Sequence, residues 1–206
     1  MRISIALTAV LFLSFSVANA ADFQQGTHYE VISNTPSSTK QVVEYYSLWS
    51  SACHHVQPTL MRLKTKLAQD VTYRSSHVDF MRTASGEIQQ TASKALLAAE
   101  KLNKGDDFKK AVFESLHNRR KRITSLTDLK NIAQSLGINS TQFGQLVNSF
   151  GVNAQYNKNQ AEQKQLKNKL NSVPTLIVNG KYKILPNSTK TPQEMEQLVT
   201  YLLNKK

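Results

Sequence analysis

The chain has one cysteine, Cys53, among 206 residues. A single thiol cannot close an internal disulfide, so the fold must hold without a covalent staple. Long apolar runs are missing too, except for "ISIALTAVLFLSFSV" just after Arg2. No other stretch is apolar enough to cross a bilayer. Acidic side chains are scarce: 14 Asp and Glu stand against 26 Lys and Arg, a formal net charge of +12. Such a balance bears on solubility and association, not on fold. There is no internal repeat and no low-complexity tract. No aromatic-basic interleaving or groove-reading motif is present either, so nucleic acid is not an expected partner. What remains is a chain that is 40% apolar, enough for one domain of ordinary core size with room for an inserted subdomain.

The N-terminus reads as an address. Arg2 supplies a positive n-region, the apolar run follows, and "ANA" at Ala18–Ala20 is a small-residue cleavage site. The expectation is a signal peptide over 1–20, cleavage after Ala20 and export. Export points to an oxidising compartment, where disulfides persist. Cys53 is then an unpaired thiol that needs an explanation.

Along the chain, "HYEVI" (His28–Ile32) alternates like a short edge strand, and "TPSSTK" is turn chemistry. "QVVEYYSLW" (Gln41–Trp49) is β-branched and aromatic and predicts a central strand. A helix is expected from about Ser51 to Leu67 with Pro58 inside it, then a strand over "VTYRSSHVDFM" (Val71–Met81). Helical spacing recurs over 87–102, 106–119 and 125–137, with Gly105 and Gly137 as stops. Two more helices follow over 139–150 and 152–170, the second polar on most faces. "TLIVNGKYKIL" (Thr175–Leu185) reads as a hairpin closed by Asn179-Gly180, a type I′ signal. "TPQEMEQLVTYLLNK" closes the chain as a helix, with Thr191 as N-cap, Pro192 first and Glu194 as the return half of a capping box. The order predicts an α/β fold: two parallel strands joined by a helix, an all-helical insertion of about 90 residues without a strand, then an antiparallel pair and a terminal helix.

Three stretches carry the chemistry. "VVEYYSLWSSACHH" (Val42–His55) is a buried strand running into a helix start, with Ser50 three residues before Cys53. "HVDFM" is a later strand, and "VPTLIVNGKY" (Val173–Tyr182) joins a Val-Pro step to the hairpin. Together they resemble the DsbA-type periplasmic disulfide oxidoreductases, thioredoxin-fold proteins with a helical insertion. The resemblance spans about Phe23 to Lys206. It implies a thioredoxin-like domain over 21–84 and 172–206, a helical insertion over 85–171, no cofactor and a periplasmic location.

The resemblance assigns the family's redox motif to Ser50-Ser51-Ala52-Cys53. There the first cysteine is the nucleophile, its thiol pulled from ~8.5 toward ~3.5–7 by the helix N-terminus. The second cysteine resolves the mixed disulfide. Here Ser50 replaces the nucleophile. A hydroxyl stays protonated near neutral pH and enters no stable disulfide, so the dithiol cycle cannot run within this chain. Cys53, at the resolving position, is expected to be buried and a poor attacking group. Val173-Pro174 is implied as a cis step whose flanking peptide groups pair with an extended substrate. Glu44 is implied as a buried acid behind the sulfur that relays protons. Trp49 and His54 join Val173 and Pro174 as expected substrate-binding residues, Trp49 through packing of core and groove, and His54 either as a solvated residue near the site or as one that tunes Cys53. His54 and His55 beside Cys53 point in different directions on a helix and do not chelate one ion, so no metal is expected.

Expected partners are exported polypeptides with extended segments and an inner-membrane redox partner. An acidic partner or anionic lipid could dock on "HNRRKR", through Arg119, Arg120, Lys121 and Arg122. Three readings of position 50 stay open. The chain has lost oxidase chemistry but keeps a peptide groove; or it resembles the kappa-class glutathione transferases, with Ser50 donating to a glutathione thiolate; or Ser50 is a deliberate change in an active oxidase whose motif was Cys-Ser-Ala-Cys.

Overall fold

The computed structural model describes residues 22–166 and 168–205. The expected signal peptide and its cleavage site lie outside the described residues, apart from the flanking chain that begins at Asp22. Five strands form one mixed sheet: β1 (Tyr29–Val31), β2 (Gln41–Tyr46), β3 (Thr72–His77), β4 (Thr175–Val178) and β5 (Tyr182–Ile184). Their order across the sheet is β1-β5-β4-β2-β3. β2 runs parallel to β3 and antiparallel to β4, with Val43 opposite Arg74 on one side and Ile177 on the other. The parallel pair needs a crossover, and α1 (Ser51–Lys66) supplies it, with Pro58 inside the helix.

Both predicted strands of that pair are shorter than the residue pattern suggested. β2 stops at Tyr46 because Ser47 turns the chain, its Oγ accepting the Trp49 N–H at 3.2 Å. β3 stops at His77, although the Val78 N–H still reaches the Tyr46 carbonyl at 2.8 Å. Asn179 and Gly180 have φ of 51° and 63°, the left-handed pair that a type I′ turn demands. Strand pairing, however, opens with Val178 opposite Tyr182, so Lys181 is an extra residue in the connection.

Between β3 and β4 the chain is helical: α2 (Gly86–Lys101), α3 (Gly105–Phe113), α4 (Leu126–Ser135), α5 (Ser140–Val147) and α6 (Phe150–Gln165). The helix expected over 106–119 leaves α geometry at Phe113 and finishes as one π turn, Glu114–Asn118. The α5–α6 break falls at Ser149, whose Oγ caps the Val152 N–H, so Phe150 opens α6 and does not close α5. α6 reads as polar because its buried stripe is itself partly polar: Val152, Tyr156, Asn159 and Gln163. Helix α7 (Pro192–Asn204) ends the chain, with Thr191 capping the Glu194 N–H at 3.1 Å. The Glu194 carboxylate reaches one residue further back than a capping box predicts, to the Lys190 N–H. No helix among the described residues is long and apolar enough to cross a membrane.

The core is divided by the sheet. α1 and α7 cover one part, around Val42, Leu60, Leu63, Val178, Leu198 and Leu202. A smaller group, Val43, Tyr45, Val78, Leu170 and Ile177, fills the opposite face. The largest cluster belongs to the helical block, and Tyr46, Leu48 and Cys53 are members of it.

Candidate functional site

The site begins where β2 delivers the chain into α1. The Ser50 N–H bonds the Ser47 carbonyl at 3.1 Å, and the Ser50 carbonyl receives the His54 N–H at 3.0 Å. Ser50 is thereby fixed as N-cap of α1. Its Oγ accepts the Cys53 N–H at 3.2 Å, satisfying one of the donors a helix start leaves free. Ser50 is buried, and Cys53 is fully buried at 0% exposure. Burial pushes the Cys53 thiol above its ordinary range; hydrogen bonds from Ser50 and the Ser47 backbone pull it back only in part. The sulfur is thus buried, with its acid form favoured.

Glu44, one strand face behind, is 1% exposed. Its carboxylate takes both oxygens to Lys109 Nζ, at 2.9 and 2.8 Å. Tyr73 Oη donates at 3.0 Å, Ser75 Oγ at 2.8 Å and Gln57 Nε2 at 3.3 Å. The ammonium also lies 3.7 Å from the centre of the Tyr46 ring. Sequence reading found the acid and missed its cation. A signal existed: Phe108, Lys109, Val112 and Phe113 share one helical stripe, and all four are buried.

A second buried polar group lies under Trp49. Ser93 Oγ donates to Asp79 Oδ1 at 2.5 Å, so its oxygen accepts from His77 Nδ1 at 2.7 Å. That bond puts a proton on His77 Nδ1, and Nε2 is buried without a partner among the described residues. Burial holds the His77 imidazole below its ordinary range, with Asp79 opposing. For Asp79, burial favours the acid form, but hydrogen bonds from His77 and Ser93 outweigh it and hold the carboxyl low. Tyr156 Oη donates to the same carboxylate at 2.7 Å, and the phenol is pushed up to about 12, burial first. The His77 ring meets Tyr46 and Trp49 edge-on at 5.5 and 5.9 Å. "HVDFM" was legible as a strand; that its His and Asp meet Ser93 of α2 was not.

His54 keeps only part of its surface in solvent. It is half-buried, stacked on His117 of the π turn at 4.9 Å and 10°, and tilted on Phe113 at 5.5 Å. Burial, then His117 and His55, hold its imidazole below the ordinary range. His117 Nε2 is 2.8 Å from the Leu48 carbonyl, which ties the π turn to the loop before Ser50. The Val173–Pro174 peptide is cis. Tyr45 pairs with Thr175, so Pro174 sits beside the end of β2 from which the Ser50 turn springs. Val173 is half-buried and packs with the cluster that holds Cys53. Arg119–Arg122 lie exposed on the loop after the π turn, across a groove from Trp49.

These features, a helix-capping position, a sulfur one turn in, a cis-proline beside them and a helical block over the top, are matched by known proteins. The DSBA-like thioredoxin domain matches residues 41–202. The chain belongs to that family. Thiol:disulfide interchange protein DsbA of Haemophilus influenzae is 31% identical over 172 residues, spanning 81% of this chain and 79% of its own. DsbA of Pseudomonas aeruginosa is 28% identical over 204 residues, spanning 97% of this chain and 93% of its own. Among solved structures, DsbA of Klebsiella pneumoniae superposes with a TM-score of 0.80 at 25% identity, over 90% of this chain and 100% of that one. The fold is the thioredoxin-like DsbA fold. In this DSBA-like chain the serine at position 50 leaves one cysteine, free and buried.

Proposed function

We propose that this is a DsbA-like protein that acts after export and has given up the dithiol oxidase cycle while keeping a groove for extended polypeptides. The observation that carries the reading is the pair at the helix start. Ser50 Oγ occupies the capping position and already accepts the Cys53 N–H, and the remaining sulfur is fully buried. A disulfide cycle needs two sulfurs that trade a bond; an oxygen that keeps its proton offers neither the attacking anion nor the leaving group. The Val173-Pro174 step just before β4 is half-buried and cis, and it supports a binding role, because peptide groups beside such a step can pair with an added strand.

A glutathione-dependent enzyme would have Ser50 present its hydroxyl to a ligand. Ser50 is buried at 6% exposure, which leaves that hydroxyl little access to a ligand, so the binding reading takes precedence. The test is turnover of a peptide disulfide. The chain as it stands is expected to show none, and Ser50→Cys to restore it. Repeated turnover with Ser50 in place refutes the proposal; an inert Ser50→Cys protein removes the family's activity from it. The genomic codon at position 50 separates a natural serine from an introduced one.

A further inference from the structure

The groove beside Trp49 has a character that the redox motif does not explain. It holds about 380 Å³, the room of a few side chains and not of a folded element. Its lining is apolar at Trp49, Ile88, Leu116 and Ile123, and Ile88 and Ile123 are themselves buried. Along one rim run Arg120, Lys121 and Arg122, all exposed. None of the three meets a carboxylate within 4.0 Å among the described residues, whereas Arg119 pairs with Glu114 at 3.7 Å. Asp128, another acid near this loop, is committed to the Thr124 and Ser125 N–H groups at 2.9 and 3.0 Å, and Glu87 is exposed in the first turn of α2, whose Ser85 and Ile88 line the groove.

The backbone holds this rim in place. Arg120 has φ of 53°, the one left-handed residue among those described that is neither Gly nor Asn. A bulky side chain enters that region only where the surroundings impose it. The imposition is visible: the Arg119 N–H bonds the Glu114 carbonyl at 3.0 Å, and the Lys121 N–H bonds the Ser115 carbonyl at 2.8 Å. The π turn thus turns a basic run, more often a solvated face, into an ordered edge over an apolar trough. The trough starts at Trp49, the residue before Ser50.

We infer that this groove binds an acidic, extended polypeptide segment, seating an apolar side chain on Trp49 and Leu116 while flanking carboxylates meet Arg120, Lys121 and Arg122. The inference rests on the polypeptide-binding reading above and names the class of segment preferred. A concave trough under a cationic rim fits a peptide better than a flat lipid surface, which would ask for apolar side chains standing proud of the charges.

Trp49 is the only tryptophan in the chain, so its emission reports the groove directly. The experiment titrates the full mature protein with a capped peptide of alternating aspartate and leucine, and in parallel with its lysine–leucine counterpart. The aspartate peptide is expected to shift Trp49 emission saturably and to weaken as salt rises. The lysine peptide should bind at least about tenfold more weakly. Arg120→Gln, Lys121→Gln and Arg122→Gln together should cost about tenfold, the sum of three exposed ion pairs. Equal affinity for the two peptides overturns the inference on the unaltered protein, whatever the triple variant does. So does a Trp49 response to phosphatidylglycerol vesicles with none to the aspartate peptide. A Ser50→Cys protein that turns over disulfides without acidic preference rejects the groove alone. An inert Ser50→Cys protein that still prefers the aspartate peptide rejects the family activity alone.

Discussion

Replacing Lys109 with Met tests the account of the buried pair most severely. The Lys109 and Glu44 side chains are 7% and 1% exposed, and both carboxylate oxygens face the ammonium. Removing one partner of such a pair leaves a buried charge uncompensated, which costs about 3–5 kcal/mol. Glu44 would keep Tyr73, Ser75 and Gln57 as neutral donors, which places the expected loss near the lower end, about 3 kcal/mol. For a chain of this length that corresponds to a fall of about 6–12 °C in Tm. Thermal unfolding followed by far-UV circular dichroism at neutral pH reads it. The decisive comparison is the double variant Glu44→Gln with Lys109→Met. It removes both charges and should recover much of the loss, giving a coupling energy well above the few tenths expected of unconnected sites. A Lys109→Met protein that melts within two degrees of the parent (about 0.5 kcal/mol), or singles that simply add, would show that the pair does not behave as a desolvated unit.

Other perturbations have directions set by the geometry. Cys53 in the folded chain should react with an aromatic disulfide reagent at least about 100-fold more slowly than in denaturant, since only exposed thiolate attacks; prompt labelling of the native protein would contradict the burial. Ser50→Ala should lower stability by about 1 kcal/mol through loss of the α1 cap, read as a shifted denaturant midpoint. In acid, His77 and His54 sit below their ordinary range, so the unfolded chain binds protons first. Stability should therefore fall as pH drops below about 6.5, and His77→Gln should flatten that part of a stability–pH curve. In alkali the sign is opposite in origin: Tyr45, Tyr46 and Tyr73 are raised, burial first, so their contribution is whole below about pH 10 and is lost as pH climbs beyond it. A protein no less stable above that pH than at neutrality would count against those three phenols being buried.

Legibility followed locality. The α/β order, the β2–α1 junction, the hairpin and the Thr191 cap are written in neighbouring residues, where period and turn chemistry act. The strand pattern overruns the strand end because Ser47-Leu48-Trp49 is as apolar as a strand, yet the Ser47 hydroxyl closes a turn there. The π turn left no periodic mark, since one extra residue shifts the phase of a helix without altering its composition. The polar partners were hidden for a different reason. Lys109, Ser93 and Gln163 reach β2 and β3 residues, and Tyr156 reaches Asp79 just beyond β3, across long separations, and no local pattern names a partner. Lys109 alone betrayed itself, as a charge inside an apolar stripe.

The sulfur's company has a consequence for anyone who would exchange parts among these proteins. Cys53 rests among side chains from helices that enter the chain only after β3. A chimera that swapped that block would keep the four-residue motif letter for letter and still change the medium in which the thiol ionises. Two relatives with identical motifs are thus free to differ in thiol chemistry, and the difference is to be sought in the helical lid.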